Sequence, residues 1–334
     1  MFNPYSFAQQ GALLVHRSDL CALAVSGPDR FAWLQGMLSC DVCPIQSGRS
    51  VYGLILNQQG GIMSDTIAMQ LQESVVLAVD TSNAGALLEH LDRYLVMEDA
   101  EIKALDTPNA FILAVGPRAK EAAEAALHDG HTDAACAGRL LGASAAFMLC
   151  SNEHLTCVLD SLADNNESFG VVPLDVFDSL RVDLGIPGLG MDFGPENNPM
   201  EIGLDEHAVS FSKGCYVGQA SVVKQRARGM PHRILARLSF EQGPAPALRS
   251  AVIVLGKDSK DSKDSKDSKD SKDSKVAGMI TRVGLSEQGV PLAFAIARYA
   301  DLRTARAVCV EGREARVVAP WGHFATVAAT RAFP

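Results

Sequence analysis

The chain lacks any apolar run that approaches the roughly 18 residues of a membrane span, so no transmembrane helix is expected. Met1 to Gln10 is polar and has no apolar h-region, so no secretory signal is expected. Positive charge is short as well. The net charge is −9, which leaves no global basic field for nucleic acid or an anionic membrane. An anionic ligand would need a local cationic pocket. The eight cysteines are too sparse in 334 residues for a disulfide-stapled scaffold. They read as reduced thiols of a cytoplasmic protein. The segment Cys40-Asp41-Val42-Cys43 is a C-x-x-C, open to reading as a redox pair or half a zinc site. No second C-x-x-C and no His pair at finger spacing accompanies it, so no metal is expected. Gly185-x-x-Gly188-x-Gly190 is no dinucleotide fingerprint, because it follows a helical pattern and contains Pro187.

What remains is ordinary globular material. Hydrophobic content is 47% and charged content 21%, enough for a sizeable core. The length suggests two or three domains. Short strands are expected at 12–16, 20–26, 75–79, 99–105 and 110–115, with a hairpin at 50–57 and 62–71 around Gln58-Gln59-Gly60-Gly61. Residues 140–149 and 155–159 also read as sheet. Helices are expected at 28–37, 83–95, 117–127, 173–184 and 218–228 from their apolar spacing. From residue 232 onward short strands follow one another at 233–240, 251–255, 276–284, 291–297, 306–310 and 314–319, which suggests a small β-barrel. Lys257 to Lys275 interrupts it with seven Lys, six Asp and no apolar residue. It reads as a flexible hairpin-tip insertion. The fold class is α+β, with mixed or antiparallel sheets and a C-terminal barrel. The boundaries read as 1–150, 151–231 and 232–334.

The chemistry concentrates in Lys213-Gly214-Cys215-Tyr216-Val217-Gly218-Gln219. Glycine lets backbone approach a ligand closely or take positive φ. A thiol beside Lys213 and ahead of a helix would be favoured as thiolate. A structural cysteine buried in a turn is the other reading. Tyr216 can stack on an aromatic ligand or pack.

This segment resembles the signature of the YgfZ-type folate-binding family. The family is related to the glycine-cleavage T-protein (aminomethyltransferase) and serves iron–sulfur cluster assembly and repair. Its signature ends in Gln-Glu, where this chain has Ala220. Phe31, Trp33, Leu34, Gln35 and Gly36 resemble the family's early Phe-Leu-Gln-Gly segment, and Leu180-Arg181-x-Asp183-x-Gly185 its Leu-Arg-x-Glu-x-Gly.

The resemblance implies a T-protein-like body of several domains with tetrahydrofolate, or a derivative, as cofactor. It implies Cys215 as the reactive group. Arg181, Lys213, Gly214, Tyr216, Gly218, Gln219, Lys224, Arg228 and Asp65 are then the binding residues. Arginine suits this role because it holds a carboxylate by two parallel hydrogen bonds. Partners would be folate and iron–sulfur client or assembly proteins, with neither nucleic acid nor membrane. The T-protein's hairpin carries Gly-Gly-x-x-Asp-Asp. Here the pair is Ser64-Asp65, with Ser64 where the catalytic carboxylate would stand. A hydroxyl cannot poise a proton as a carboxylate does, which speaks against the transferase reaction. Three readings follow: a folate-dependent accessory protein, an aminomethyltransferase, and a non-catalytic scaffold.

Overall fold

A computed structural model describes residues 3–47, 49–105, 109–164, 167–241, 243–254, 275–303, 305 and 307–320. In order, the chain forms α1 (Pro4–Gln10), β1 (Ala12–His16), β2 (Leu20–Ser26), α2 (Arg30–Met37), β3 (Val51–Leu56), β4 (Ile62–Leu71), β5 (Ser74–Asp80), α3 (Ala84–Asp92) and β6 (Glu101–Ala104). Next come β7 (Asn109–Val115), α4 (Ala119–His128), β8 (Ala134–Leu140), β9 (Ala143–Ser151), α5 (Leu155–Asp164), β10 (Phe169–Val172) and α6 (Leu174–Leu184). Short helices α7 (Pro199–Ile202) and α8 (Asp205–Ala208) precede α9 (Gln219–Arg228). The last stretch holds β11 (Arg233–Ser239), β12 (Ala251–Val254), β13 (Lys275–Leu285), β14 (Pro291–Arg298), α10 (Tyr299–Leu302), β15 (Val308–Val310) and β16 (Arg313–Pro320).

The described residues fall into two compact units. The first comprises Met1–Asp178, Gly194–Pro199 and Leu204–Val223. It holds two five-stranded sheets, β3-β4-β5-β2-β6 and β10-β1-β7-β9-β8. Only β1 and β10 pair in parallel; every other pairing in these sheets is antiparallel. In the first sheet Leu23, Val25, Leu77 and Val79 meet Trp33 and Leu34 of α2 and Leu87 and Leu91 of α3. Burying each such side chain contributes on the order of 2 kcal/mol, so these helices are held by tertiary contact rather than by their own propensity. In the second sheet α4 presents Ala119, Ala122, Ala123 and Ala126, all buried. This stripe of small side chains packs against Ile112, Ala146 and Met148.

The second unit comprises Ser179–Phe193, Met200–Gly203 and Lys224–Pro334. Its strands close into a barrel in the order β11-β14-β13-β12-β15-β16 around Phe240, Ile280, Val252 and Val310. The expected α+β class and terminal barrel are therefore present.

Two local expectations are corrected. Residues 140–149 are not one strand. The chain reverses at Leu141 and Gly142, both at positive φ, and the paired strands are β8 and β9. Residues 155–159 are helical rather than sheet, because Val158 and Leu162, one turn apart, are the pair that buries itself in α5. The Lys-Asp-Ser repeat lies outside the described residues apart from Lys275, which opens β13. The strands on either side of it, β12 and β13, pair antiparallel. Among the described residues no helix is long and apolar enough to cross a membrane.

Candidate functional site

The signature lies in the first unit and is anchored at both ends. At its start, the Lys213 ammonium donates to the backbone oxygens of Gln35 (2.7 Å), Leu38 (2.5 Å) and Cys40 (2.7 Å). Those carbonyls belong to the last turn of α2 and the residues after it, where a cation meets the negative end of the helix. All three ammonium protons are used there. The charge faces the Cys40–Cys43 turn rather than being held for the neighbouring thiol. Burial lowers the Lys213 pKa to about 8, against the opposing pull of Cys40, Asp41 and Cys43.

At its other end, Gly218 sits at φ +82°, and a Cβ there would lie 2.5 Å from the Asn57 oxygen. Gly60, at φ +80°, would meet Ser221 in the same way. The start of α9 is thus pressed against the turn between β3 and β4, and only glycine permits that approach. Asn57 closes this turn, its Oδ1 accepting from the Gly61 N–H at 2.9 Å. The Val217 N–H donates to the Gly36 oxygen at 3.0 Å.

Between these anchors Gly214 and Cys215 are exposed. A Cβ at Gly214 would meet nothing within 4 Å, so packing does not require glycine there. Tyr216 is buried, with Lys213 Nζ 5.0 Å from its ring centroid. Its hydroxyl is also buried and has no hydrogen-bond partner among the described residues. Burial pushes its pKa up to about 12. An orphaned buried hydroxyl costs about 1–3 kcal/mol unless a water or ligand meets it.

The hairpin's carboxylate is described by its pleat. Ser64 is fully buried, and its Oγ donates to the Asp65 backbone oxygen at 2.7 Å. Asp65, on the opposite face of β4, is partly exposed and accepts from the Tyr52 hydroxyl at 2.9 Å. Arg17 lies within electrostatic reach of Asp65 and Asp178. Burial would lower its pKa, but Asp19, bonded at 2.8 and 2.7 Å, holds it above the usual value. The accessible carboxylate of this hairpin is Asp65, which is present. Tyr52 escaped the sequence reading. Its signal was register: Leu54 pairs with Asp65, so Tyr52, two residues earlier on β3, reaches it diagonally.

Arg181, Lys224 and Arg228 belong to the second unit. Arg181 is buried in α6. A Cβ on Gly188 would lie 3.5 Å from its Nη1 and 2.9 Å from Arg282 Nη2, so the two guanidiniums flank that glycine. Buried Asp192 accepts from Arg282 Nε (2.7 Å), Thr281 Oγ1 (2.8 Å) and the Gly188 N–H (2.9 Å). Lys224 and Arg228, four apart on α9, are exposed. Of the C-x-x-C pair, Cys40 is buried and Cys43 exposed. Among the described residues no group of three or more His, Cys, Asp or Glu is placed to hold a metal ion.

Comparison with known proteins gives two kinds of relative. Residues 6–137 match the GCVT N-terminal domain family. The chain is 27% identical over 263 residues to an aminomethyltransferase of Streptomyces coelicolor, covering 72% of this chain and 70% of that protein. It is also 27% identical over 236 residues to the tRNA-modifying protein YgfZ of Vibrio vulnificus, covering 68% and 70%. In fold it matches the glycine cleavage system aminomethyltransferase T of Bartonella henselae with a TM-score of 0.72. That match has 19% identity and covers 93% of this chain and 86% of that one. The resemblance read from the signature thus extends over most of the chain, and the fold is T-protein-like.

Proposed function

We propose that this protein binds tetrahydrofolate or a derivative and supports assembly or repair of iron–sulfur clusters, with Cys215 as its reactive thiol. The observation that carries this reading is the exposed Gly214-Cys215 pair between two rigid anchors. A structural cysteine would be sealed in packing, and this one is not. The orphaned Tyr216 hydroxyl fits a polar ligand group, and Asp65 and Gln219 supply further polar contacts from the first unit. Arg181, Lys224 and Arg228 lie in the second unit and are proposed, from the sequence resemblance alone, as cations for an acidic group. Bound tetrahydrofolate would supply a carrier for one-carbon groups. Lys213 and Gly218 hold the signature backbone in place for it, with Gly214 leaving room above. The Vibrio relative is named for tRNA modification. A net charge of −9 offers no broad cationic surface for RNA, so we take clients to be proteins.

A second reading, aminomethyl transfer to folate, is favoured by one observation. Asp65 keeps a carboxylate on the glycine-rich hairpin, oriented by Tyr52 and in the field of Arg17. One set of experiments separates the readings. Tetrahydrofolate titrated into the wild type binds, and Tyr216→Phe and Arg181→Gln each weaken it about tenfold, the loss of one buried hydrogen bond or ion pair. Cys215→Ala keeps folate affinity but abolishes support of cluster enzymes in cells. Unchanged cluster-enzyme activity with Cys215→Ala would remove the chemical role of the thiol. Robust methylene-tetrahydrofolate formation from an aminomethylated lipoyl carrier, lost in Asp65→Asn, would establish the transferase instead.

A further inference from the structure

A separate cavity of about 300 Å³ opens in the first unit, where the start of β3, the β8–β9 hairpin and the end of α8 converge. No residue of the signature lines it. Two arginines from different elements do, Arg49 just before β3 and Arg139 on β8. The Arg49 guanidinium makes no hydrogen bond or ion pair among the described residues. Arg139 gives one donor to the Gly142 oxygen at 2.7 Å and has no carboxylate partner there. Two unmatched guanidiniums around one small cavity are notable in a chain of net charge −9. They raise the local affinity for anions.

The remaining lining is consistent with that sign. Asp41 is the cavity's one carboxylate, and it is already held by the Gln35 amide (2.9 Å) and the Cys43 N–H (3.1 Å). His207 packs against the hairpin turn, where a Cβ on Gly142 would lie 3.0 Å from its Cε1. Desolvation, and Arg139 beside it, lower its pKa despite Glu206, and its ring nitrogens can donate or accept a hydrogen bond. Ser210 adds a hydroxyl whose described contact is a long 3.4 Å approach to Ser212. Pro44, Val51 and Val209 add apolar surface to the lining. The cavity is built tightly: Gly138 has no room for a side chain against Ser50, and Ser50 is itself buried.

We infer that this cavity binds the phosphoryl group of a small phosphomonoester whose apolar body meets the apolar lining of Pro44, Val51 and Val209. One arginine satisfies a carboxylate with two parallel bonds. Two arginines, an imidazole N–H and a hydroxyl match a dianion with three terminal oxygens. The volume is at the lower limit of ligand cavities, which restricts the body to about the size of one ring. One lining residue, Tyr52, also donates its hydroxyl to Asp65; the test uses no folate, so its failure leaves the folate reading standing.

The probe is phenyl phosphate, titrated calorimetrically into the full chain, with inorganic phosphate and benzoate as comparisons. Phenyl phosphate binds at one site per chain, more tightly than inorganic phosphate and at least about tenfold more tightly than benzoate. Arg49→Gln and Arg139→Gln each weaken it about tenfold, the loss expected for one charged hydrogen-bonding group. Both residues are exposed, so the variants keep the wild-type melting temperature. Lys120→Gln, a charge removed from the surface of α4, leaves binding unchanged. No heat from the wild type, equal weakening by Lys120→Gln, or benzoate binding as tightly as phenyl phosphate would each overturn the assignment.

Discussion

Cys40 and Cys215 sit on the two segments that Lys213 joins, and they have opposite fates. Cys40 is buried, with the β3 backbone at Gly53 packed directly on its sulfur. Burial pushes its thiol up to about 12. Cys215 is exposed between two glycines. Lys213 gives its ammonium to the carbonyl of the first cysteine and only its backbone to the neighbourhood of the second. A cation next to a thiol in sequence therefore does not imply a cation next to it in space. Here the lysine fastens the loop, and the exposed cysteine is left to be met by something from outside.

The contrast can be broken from its anchors. Gly218→Ala should cost most, about 3 kcal/mol of unfolding free energy. It combines left-handed backbone strain with a 2.5 Å contact to the Asn57 oxygen. Denaturant titration reads this directly, and a loss under about 1 kcal/mol would mean the turn gives way freely. Lys213→Met comes next, at about 2 kcal/mol, because three carbonyl oxygens lose a charged donor. The same variant should leave the rate at which Cys215 is alkylated within about twofold of wild type, since its ammonium is committed elsewhere. A large drop would restore the lysine to the thiol.

The two thiols themselves give a smaller effect with a definite sign. In the unfolded chain Cys40 ionises near its ordinary pKa of about 8.5, but in the folded protein only near 12. Its contribution to stability is complete below about pH 8.5 and declines as pH rises toward 12, because the unfolded chain releases the proton first. Between about pH 8 and about pH 10 the wild type should thus lose more stability than Cys40→Ala does. At neutral pH, alkylation followed by peptide mapping should mark Cys43, Cys157 and Cys215, and reach Cys40, Cys136 and Cys150 only after unfolding. Protection of Cys215 would erase the comparison. The smallest effect is Gly214→Ala, within about 0.5 kcal/mol, since its Cβ would enter open space.

Much of the fold was legible. The hairpin strand 62–71 and strands 12–16 and 20–26 appear at the expected residues, because alternation and turn glycines report directly on a half-buried sheet. Leu155–Asp164 was misread because a short apolar run looks alike as strand and helix, and only its burial against the second sheet decides. At the site, Cys215, Asp65 and Tyr216 were visible by type. Their partners were not: Lys213 meets residues 173 to 178 positions away, and no local pattern encodes that.

By itself the sequence determined the α+β class and the terminal barrel, since each is written in local periodicity, and it singled out residues 213–219 as an unusual run of residue types. Tertiary structure alone decided which thiol is reachable, where the lysine's charge goes, which hairpin residue offers its carboxylate, and that two distant arginines share a cavity. Exposure and charge pairing depend on what the rest of the chain brings alongside, and that is settled only when the chain folds.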